Sequence, residues 1–461
     1  MHGNVTLLHG KRLMLFFLSK IAFLCCCAHA DLWVTGYYPG YKEGTMAATN
    51  IDFTTITHVV HFSIVPNTDG SLNTAANSIT DAQSANIVSL AHTAGRKAII
   101  CVGGANSQSG FQGATGSANL PVFVANLTNF MATYGYDGID LDWEPLPATD
   151  AARYTNLVNG LRTALNGFSQ HKLLTVAAAA YPVYGDPPNS EAAMFASLQN
   201  QFDQINIMTY DLSGPYGGWV TWFNSPIYNG GTMFPNTTEL VPSIDGSIST
   251  FISNGVTPAK LGIGTPFYGY IWTHGPGMTG PRQAWPTNNV PTISTPTYAM
   301  ILNTYFQSNL YHWDTNAQAA YLSITNSPAA NDIFLSYDDQ VSCQVKISYA
   351  RNRGLGGLMI WELSQDYFST QPIGQRTPLI QAIKQGLATP GFASIQANGQ
   401  NVKIGFNTLP LGLYRVQWTS NANGGTWNTL TNNVPGTGNA VQITDTNSAQ
   451  GQRFYRIQTP P

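Results

Sequence analysis

Apolar residues in this chain come in short runs, and between the runs they recur at helical spacing. "LWVTGYY" (32–38), "ITHVVHFSI" (56–64), "KAIICVGG" (97–104), "LLTVAAAA" (173–180), "FDQINIMTY" (202–210), "KLGIGTPFYGY" (260–270) and "GLGGLMIWEL" (354–363) each read as a buried strand. "YDGIDLDWEP" (136–145) supplies another, fourth in chain order. The intervening "DAQSANIVSLAHTAG" and "LPVFVANLTNFMATYG" are helical patterns that stop at Gly95 and Gly135. "DAARYTNLVNGLRTALNG" carries Tyr154, Leu157, Val158, Leu161 and Leu165 on one stripe, and a short helix is expected near 191–200. Strands that are apolar on both faces and separated by helices form parallel sheets. Eight such units predict an α/β fold, a (β/α)8 TIM barrel whose ligand site lies at the C-terminal ends of the strands. The competing architecture is a doubly wound open sheet. It usually has fewer strands, and no G-x-G-x-x-G turn follows the first run.

Two segments do not fit a minimal barrel. Residues 271 to about 340 separate the last two runs, are rich in Pro, Thr, Tyr and Trp, and far exceed an ordinary βα connection. They predict a small α+β insertion between strands seven and eight. After residue 388 the texture changes again. "ATPGF" reads as a linker, and "NVKIGF", "LYRVQWTS", "TWNTL", "AVQIT" and "RFYRIQ" are short alternating runs divided by Asn/Gly turns. These predict a small all-β, sandwich-like domain over 391–461, after a barrel domain over 31–388.

The N-terminus changes the picture of location. Lys11 and Arg12 precede the mostly apolar "LMLFFLSKIAFLCCC", and "AHA" ends in an A-x-A pattern at Ala30. Residues 1–30 therefore read as an export leader, and the mature chain is expected to be secreted, extracellular or periplasmic. Lys20 interrupts the apolar run, which argues against stable membrane insertion. Cys25, Cys26 and Cys27 sit in no clean lipobox. Removing the leader leaves Cys101 and Cys343 of 5 cysteines, read as small core residues rather than a disulfide framework. Of 461 residues only 9% are charged, with a net charge of −3. That balance excludes the basic surface a nucleic acid or anionic membrane requires, and it suits a neutral partner such as a carbohydrate.

The acids that do occur are concentrated. "YDGIDLDWEP" holds Asp137, Asp140, Asp142 and Glu144. Side chains alternate along a strand, so Asp140, Asp142 and Glu144 share one face while Ile139, Leu141 and Trp143 share the other. In a barrel the apolar set packs against helices. The acidic set points inward and rises to the mouth, with Glu144 last, and Asp137 serves the opposite end of the strand. Carboxylates this close repel one another and are desolvated, so they share protons near neutral pH. One of them can then act as a general acid while a neighbour stays ionised. A calcium loop would need a Gly-rich turn rather than alternating large apolar residues.

"DGIDLDWE" resembles D-G-x-D-x-D-x-E, the signature of glycoside hydrolase family 18, the chitinase family. "MTYD" (208–211), "PFYG" (266–269), "HWDTNAQAAY" and the stretch from "FLSYDD" to "MIWELSQD" are similar to further family segments in the same order, over roughly residues 31–388. The resemblance implies a chitinase of the bacterial type with an insertion subdomain. Its substrates would be chitin or N-acetylglucosamine oligosaccharides, with no metal or cofactor, acting as a monomer. It implies retaining catalysis assisted by the substrate, in which Glu144 protonates the leaving oxygen and the 2-acetamido oxygen is the nucleophile. Asp142, backed by Asp140, would hold the acetamido N–H, and Tyr210 its oxygen. Tyr37, Gly104, Met208, Asp211, Tyr268 and Trp361 would bind substrate, with Trp361 beneath the distorted sugar.

The chain also departs from the family pattern. Cys101–Ala105 replaces S-x-G-G-W, so a stacking platform is missing at Ala105. Tyr270 stands where Arg usually follows "YG". Three choices stay open. The same chemistry serves an endo-β-N-acetylglucosaminidase acting on glycoprotein glycans, and a lectin on this barrel would be expected to lack Glu144. Tyr216, Trp219 and Trp222 either line product-side subsites or pack their loop. Trp418 and Trp427 are either sugar platforms or sandwich-core aromatics.

Overall fold

The computed structural model describes residues 21–23, 32–180, 190–216, 218–285, 291–388, 392–398, 401–410, 412–421, 426–446 and 453–458. The chain divides into two compact units, Leu32–Lys346 with Gly354–Lys384, and Met1–Asp31 with Ile347–Arg353 and Gln385–Pro461.

The first unit is built on parallel strands β1 (Trp33–Pro39), β2 (His58–Pro66), β3 (Lys97–Gly104), β4 (Gly138–Trp143), β5 (Leu173–Ala179), β6 (Gln204–Met208), β7 (Leu261–Pro266) and β8 (Gly357–Trp361). Each pairs with its successor, and β8 pairs back onto β1, which closes the barrel that the eight apolar runs predict. The alternating helices include α1 (Asp81–Thr93), α2 (Leu120–Tyr134), α3 (Ala151–Leu165), α4 (Ser190–Leu198), α5 (Ile244–Ser253), α6 (Gln340–Asn352) and α7 (Pro378–Leu387). Their ends follow local chemistry. Thr80 and Gln83 form a capping box at the start of α1, and Gly135, at φ 79°, stops α2 in the left-handed region. No described helix is long and apolar enough to cross a membrane.

Alternation along β4 is as the sequence requires. Ile139 and Leu141 are fully buried, and Trp143 stacks on Phe111 at 4.6 Å and 6°. The opposite face enters a barrel interior that is partly polar. Thr35 Oγ1 donates to Gln204 Oε1 at 2.7 Å, and Asn206 Nδ2 donates to the same oxygen at 3.2 Å. These buried groups pair with each other, which removes the cost of taking them out of water. Cys101 and Cys343 are buried and free.

Between β7 and β8 the insertion forms an antiparallel sheet of Tyr270–Thr273, Thr292–Ser294, Tyr311–Asp314, Ala319–Ile324 and Ile333–Tyr337, with helix Tyr298–Thr304. In the second unit, Phe392–Asn398, Asn401–Asn407 and Ala440–Asp445 form one sheet, and Leu413–Thr419, Asn428–Pro435 and Arg453–Gln458 another. Ile404, Phe406, Tyr414, Val416 and Tyr455 from both sheets share one core. Trp418 packs on that core and is covered by the Arg453 guanidinium at 3.8 Å, while Arg456 covers Trp427 at 4.3 Å. Both indoles thus carry a cation on one face. Residues 1–30, expected from the sequence to be an export leader, fall outside the described residues except for Ile21–Phe23, which pairs parallel to Arg453–Tyr455.

At the N-terminal end of β4, Asp137 accepts hydrogen bonds from Ala98 N–H at 2.9 Å, Lys97 Nζ at 3.0 Å and His92 Nε2 at 2.8 Å. Burial raises its pKa, but these bonds outweigh burial and hold it below the usual range. This acid therefore belongs to the fold. Asp137→Ala should cost about 1–3 kcal/mol, the penalty for stranding its donors, read as a lower denaturation midpoint.

Candidate active site

The alternation of β4 carries Asp140 and Asp142 into the barrel, and Glu144 follows directly after the strand. Asp140 is fully buried between two donors, Tyr37 OH at 2.8 Å and Thr175 Oγ1 at 2.6 Å. Burial pushes its pKa to about 6, against the opposing pull of Thr175, Tyr37 and Cys101. Asp142 is also buried, and among the described residues its Oδ1 has no hydrogen-bond partner. Burial, then the charges of Glu144 and Asp140, push its pKa well above the carboxylate range. Glu144 is raised by burial first. A hydrogen bond with Asp142 pulls it down, and the charge of Asp211 raises it again. The three acids therefore hold protons where isolated carboxyls would have lost them, and they titrate as a set.

The end of β3 makes room for this strand. A Cβ on Gly103 would lie 1.9 Å from the Asp142 carbonyl oxygen, and the residue sits at φ 116°. At Gly104, φ 104°, a Cβ would lie 2.6 Å from the Phe62 ring. Only glycine satisfies both the backbone angle and the close approach. Ser107, just beyond, donates to Asp142 O and accepts from Glu144 N–H, each at 3.3 Å, and so ties the loop after β3 to the acid strand.

Asp142 and Glu144 open into a cavity of ≈ 380 Å³ whose walls include Tyr37, Tyr41, Phe62, Gly104, Met208, Tyr210, Asp211 and Trp361. Trp361 at the end of β8 is fixed by Phe62, edge-on at 4.7 Å, and by Tyr37 at 5.7 Å. Tyr210 lies against Met359, OH to Sδ 3.6 Å. Burial and the nearby Asp142 and Glu144 charges push its pKa far up, so its hydroxyl remains a donor. Asp211 adopts φ 56°. Its N–H donates to Asn224 Oδ1 at 2.8 Å, and its Oδ1 accepts from Tyr268 OH at 2.5 Å and Tyr270 OH at 2.6 Å. An aromatic floor, a phenol donor and a row of acids suit a pyranose ring that must be both stacked and protonated.

Of the residues expected to touch ligand, Tyr37, Gly104, Asp142, Glu144, Met208, Tyr210, Asp211 and Trp361 line this cavity. Asp140 lies behind them, held by the Tyr37 hydroxyl, and Tyr268 reaches the site through Asp211. Trp219 and Trp222 are buried in the core, and Trp222 Nε1 donates to Pro242 O at 2.8 Å, so both pack their loop. Tyr216 alone of that trio is exposed. Among the described residues no cluster of His, Cys, Asp and Glu could hold a metal ion.

The family model for glycosyl hydrolases family 18 matches residues 34–366, which contain β2 to β8, all of β1 but Trp33, and the acid row. The chain belongs to glycosyl hydrolase family 18. It is 33% identical over 298 residues to a probable endochitinase of Caenorhabditis elegans, covering 60% of this chain and 45% of that protein. It is 30% identical over 379 residues to Chitinase A1 of Niallia circulans, covering 74% of this chain and 49% of that protein. The chain thus spans about half the length of these two relatives. Among solved structures, the Ostrinia furnacalis Group IV chitinase in complex with allosamidin aligns with a TM-score of 0.65 at 23% identity, over 78% of this chain and 99% of that one, a likeness of fold. Chitinase ChiW from Paenibacillus sp. str. FPU-7 aligns with a TM-score of 0.63 at 27% identity, over 78% of this chain and 33% of that one.

Several residues of this family 18 site carry no sequence signal of their own. Thr175 is one polar residue in an otherwise apolar run, and that interruption was its only mark. Phe62, Ser107 and Asn224 reach the site from separate loops and strands, and no spacing rule connects them to Glu144.

The raised pKa of Asp140 gives a stability prediction. A buried acid whose folded pKa lies above its unfolded value favours the folded state most at low pH, and that contribution is lost as pH rises through the folded pKa. From an unfolded value of about 3.9 to a folded value of about 6, Asp140 should remove roughly 3 kcal/mol of stability across that window. Asp140→Asn has no such titration. Its stability relative to wild type should therefore rise between pH about 4 and 6, measured by denaturation at a series of pH values, and parallel curves would contradict the buried-acid account.

Proposed function

We propose that this chain hydrolyses β-1,4 linkages between N-acetylglucosamine units of chitin, retaining the β configuration, with the substrate's own acetamido group as nucleophile. The observation that carries this reading is that Asp142 in β4 and Glu144 directly after it open together into a cavity that Trp361 also lines. Their Cα atoms are about 6–7 Å apart along that strand. Two carboxyls on the same side of the sugar cannot attack from opposite faces, whereas a tethered acetamido oxygen reaches the far face of C1 at high effective concentration.

In this mechanism Glu144, kept protonated by burial, gives its proton to the glycosidic oxygen as the bond to C1 breaks. The acetamido oxygen bonds to C1 and forms an oxazolinium ion. Asp142 accepts the acetamido N–H, with Asp140, held by the Tyr37 hydroxyl, behind it. Tyr210 donates to the acetamido side of the ring, and Met208 and Asp211 shape the wall around it. The relatives bearing chitinase names support the substrate class. The basic, apolar and A-x-A pattern at the N-terminus supports export. The presence of Glu144 speaks against a binding-only role.

Glu144→Gln keeps the side chain's size and loses its transferable proton, so oligosaccharide binding should persist while turnover falls by about 10²–10⁴-fold or more. More than a tenth of wild-type turnover would remove Glu144 from the role of acid. On N-acetylchitohexaose the first products, followed by NMR, should be β-anomers, and fully deacetylated oligomers should resist cleavage. Initial α-anomer, or efficient cleavage of the deacetylated oligomers, would require a different nucleophile. A glycoprotein glycan in the same assay separates the endo-β-N-acetylglucosaminidase alternative, which shares the chemistry.

A further inference from the structure

A side pocket of ≈ 350 Å³, lined in part by Trp143, Tyr154 and Phe195, shares Ala105, Glu144, Ala177 and Met208 with the main cavity and belongs to the same site. A different feature lies behind that site. Lys346 of α6 has a side chain only 1% exposed, and the proposed mechanism does not use it. Its ammonium pairs with the buried Asp338, which directly follows the insertion strand Ile333–Tyr337. Nζ also donates to Ser225 Oγ at 2.7 Å and to the Gly264 carbonyl of β7 at 3.3 Å. An ammonium has three donors and no acceptor, so these three partners use all of them. Taking a charge pair out of water costs about as much as its attraction returns, so the pair adds little stability over apolar packing. What it adds is direction. Lys346 can only donate, so Ser225 Oγ accepts from it and turns its own proton elsewhere. That proton goes to the Thr209 carbonyl at 2.5 Å. Thr209 stands between β6 and Tyr210. Its hydroxyl accepts from Gly264 N–H at 2.8 Å and donates to Gly264 O at 3.2 Å, the carbonyl that Lys346 also holds. The Tyr210 ring rests against the same glycine, where a Cβ would lie 2.7 Å from Tyr210 Cδ1. Among the described residues the Tyr210 hydroxyl meets the Met359 thioether, a weak acceptor, so its aim is set by its backbone and packing.

We propose that Lys346 is a positioning residue for the reaction: through Ser225, Thr209 and Gly264 it fixes the place of Tyr210, whose hydroxyl is directed at the acetamido group. The inference rests on the proposed function. Lys346 grips the backbone just before Tyr210 and the glycine beneath its ring, and Asp338 neutralises the ammonium so that no net charge is added behind the acid row. A displacement of about 1 Å at a reacting group can cost about 10²-fold in rate, so a fixed backbone matters here. The insertion takes part in the same grip. Asp338 follows its last strand, and Ser336 of that strand accepts from the N–H of Asn224, whose Oδ1 accepts from Asp211 N–H.

The test measures competitive inhibition by the thiazoline of N-acetylchitobiose, a stable mimic of the oxazolinium ion, beside KM for N-acetylchitopentaose. Neither constant depends on how much of each protein is folded, so a loss of stability alone moves neither. Ser225→Ala breaks the relay and leaves the ion pair. Lys346→Met combined with Asp338→Asn removes the charge without stranding a carboxylate. In both proteins the inhibition constant should rise roughly fivefold or more and KM by less than about twofold, because Tyr210 engages the cyclised acetamido group more than the bound oligomer. Tyr210→Phe should weaken the thiazoline in its own right, and adding Ser225→Ala to it should change little further, since both act on one contact. An unchanged inhibition constant in Ser225→Ala, or an equal rise in both constants, overturns the inference and leaves the proposed function standing. A full further loss on adding Ser225→Ala to Tyr210→Phe also overturns it. If the combined Lys346 and Asp338 variant does not fold, Ser225→Ala decides alone. Failure of the thiazoline to inhibit a wild type that cleaves the oligomer would remove the proposed mechanism and this inference together.

Discussion

The burial of acids along one barrel strand is the constraint to which the rest of the site answers. Asp140 and Asp142 are out of water, and an unpaired charge there would be costly. Asp140 is tolerated because Tyr37 from β1, across the barrel, and Thr175 from the neighbouring β5 both donate to it. Asp142 has no comparable donor on its Oδ1, and it lowers its cost by holding a proton. In the proposed mechanism a substrate amide supplies the donor that Asp142 Oδ1 lacks. The same low-dielectric surroundings that penalise these charges also raise the pKa of Glu144, the direction the proposed role of general acid requires.

Everything around the acids accommodates them sterically or electrostatically. Gly103 lets β3 pass under the Asp142 carbonyl, and Ser107 links the following loop to both Asp142 and Glu144. Trp361 is held at the end of β8 by Phe62 and Tyr37, and the latter also serves Asp140, so the Trp361 indole and the acid row share one support. A change at Tyr37 would therefore disturb both stacking and proton placement.

The departures from the family pattern also have physical content. Where an arginine usually follows the seventh strand, Tyr270 joins Tyr268 in donating to Asp211 Oδ1. Two neutral phenols orient the carboxylate without cancelling its charge, and that charge is one of the influences that raise Glu144. A cation in that place would partly screen it. At Ala105 the small side chain lines both cavities, where a large aromatic would narrow the connection between them.

Much of the fold and the centre of the site could be read from the sequence because they depend on local regularities. The apolar runs give eight strands, since a strand buried on both faces must be apolar throughout. The alternation in "DGIDLDWE" places three acids on one face whatever the surroundings, since the period of a strand is two. Gly135 stops its helix for equally local reasons. The sequence could not show which donors satisfy Asp140, because Tyr37 and Thr175 lie 103 and 35 residues away and meet it only when the sheet is assembled, Thr175 by the register of β5 on β4 and Tyr37 from β1. Nor could it choose between roles for Trp219 and Trp222, since an aromatic residue in a loop has the same local signature whether it lines a cleft or fills a core. The side pocket behind Glu144 is likewise a tertiary matter. Trp143, Tyr154 and Phe195 each look like core residues in their own elements, and only the packing of β4 against α3 and α4 brings them to one cavity wall.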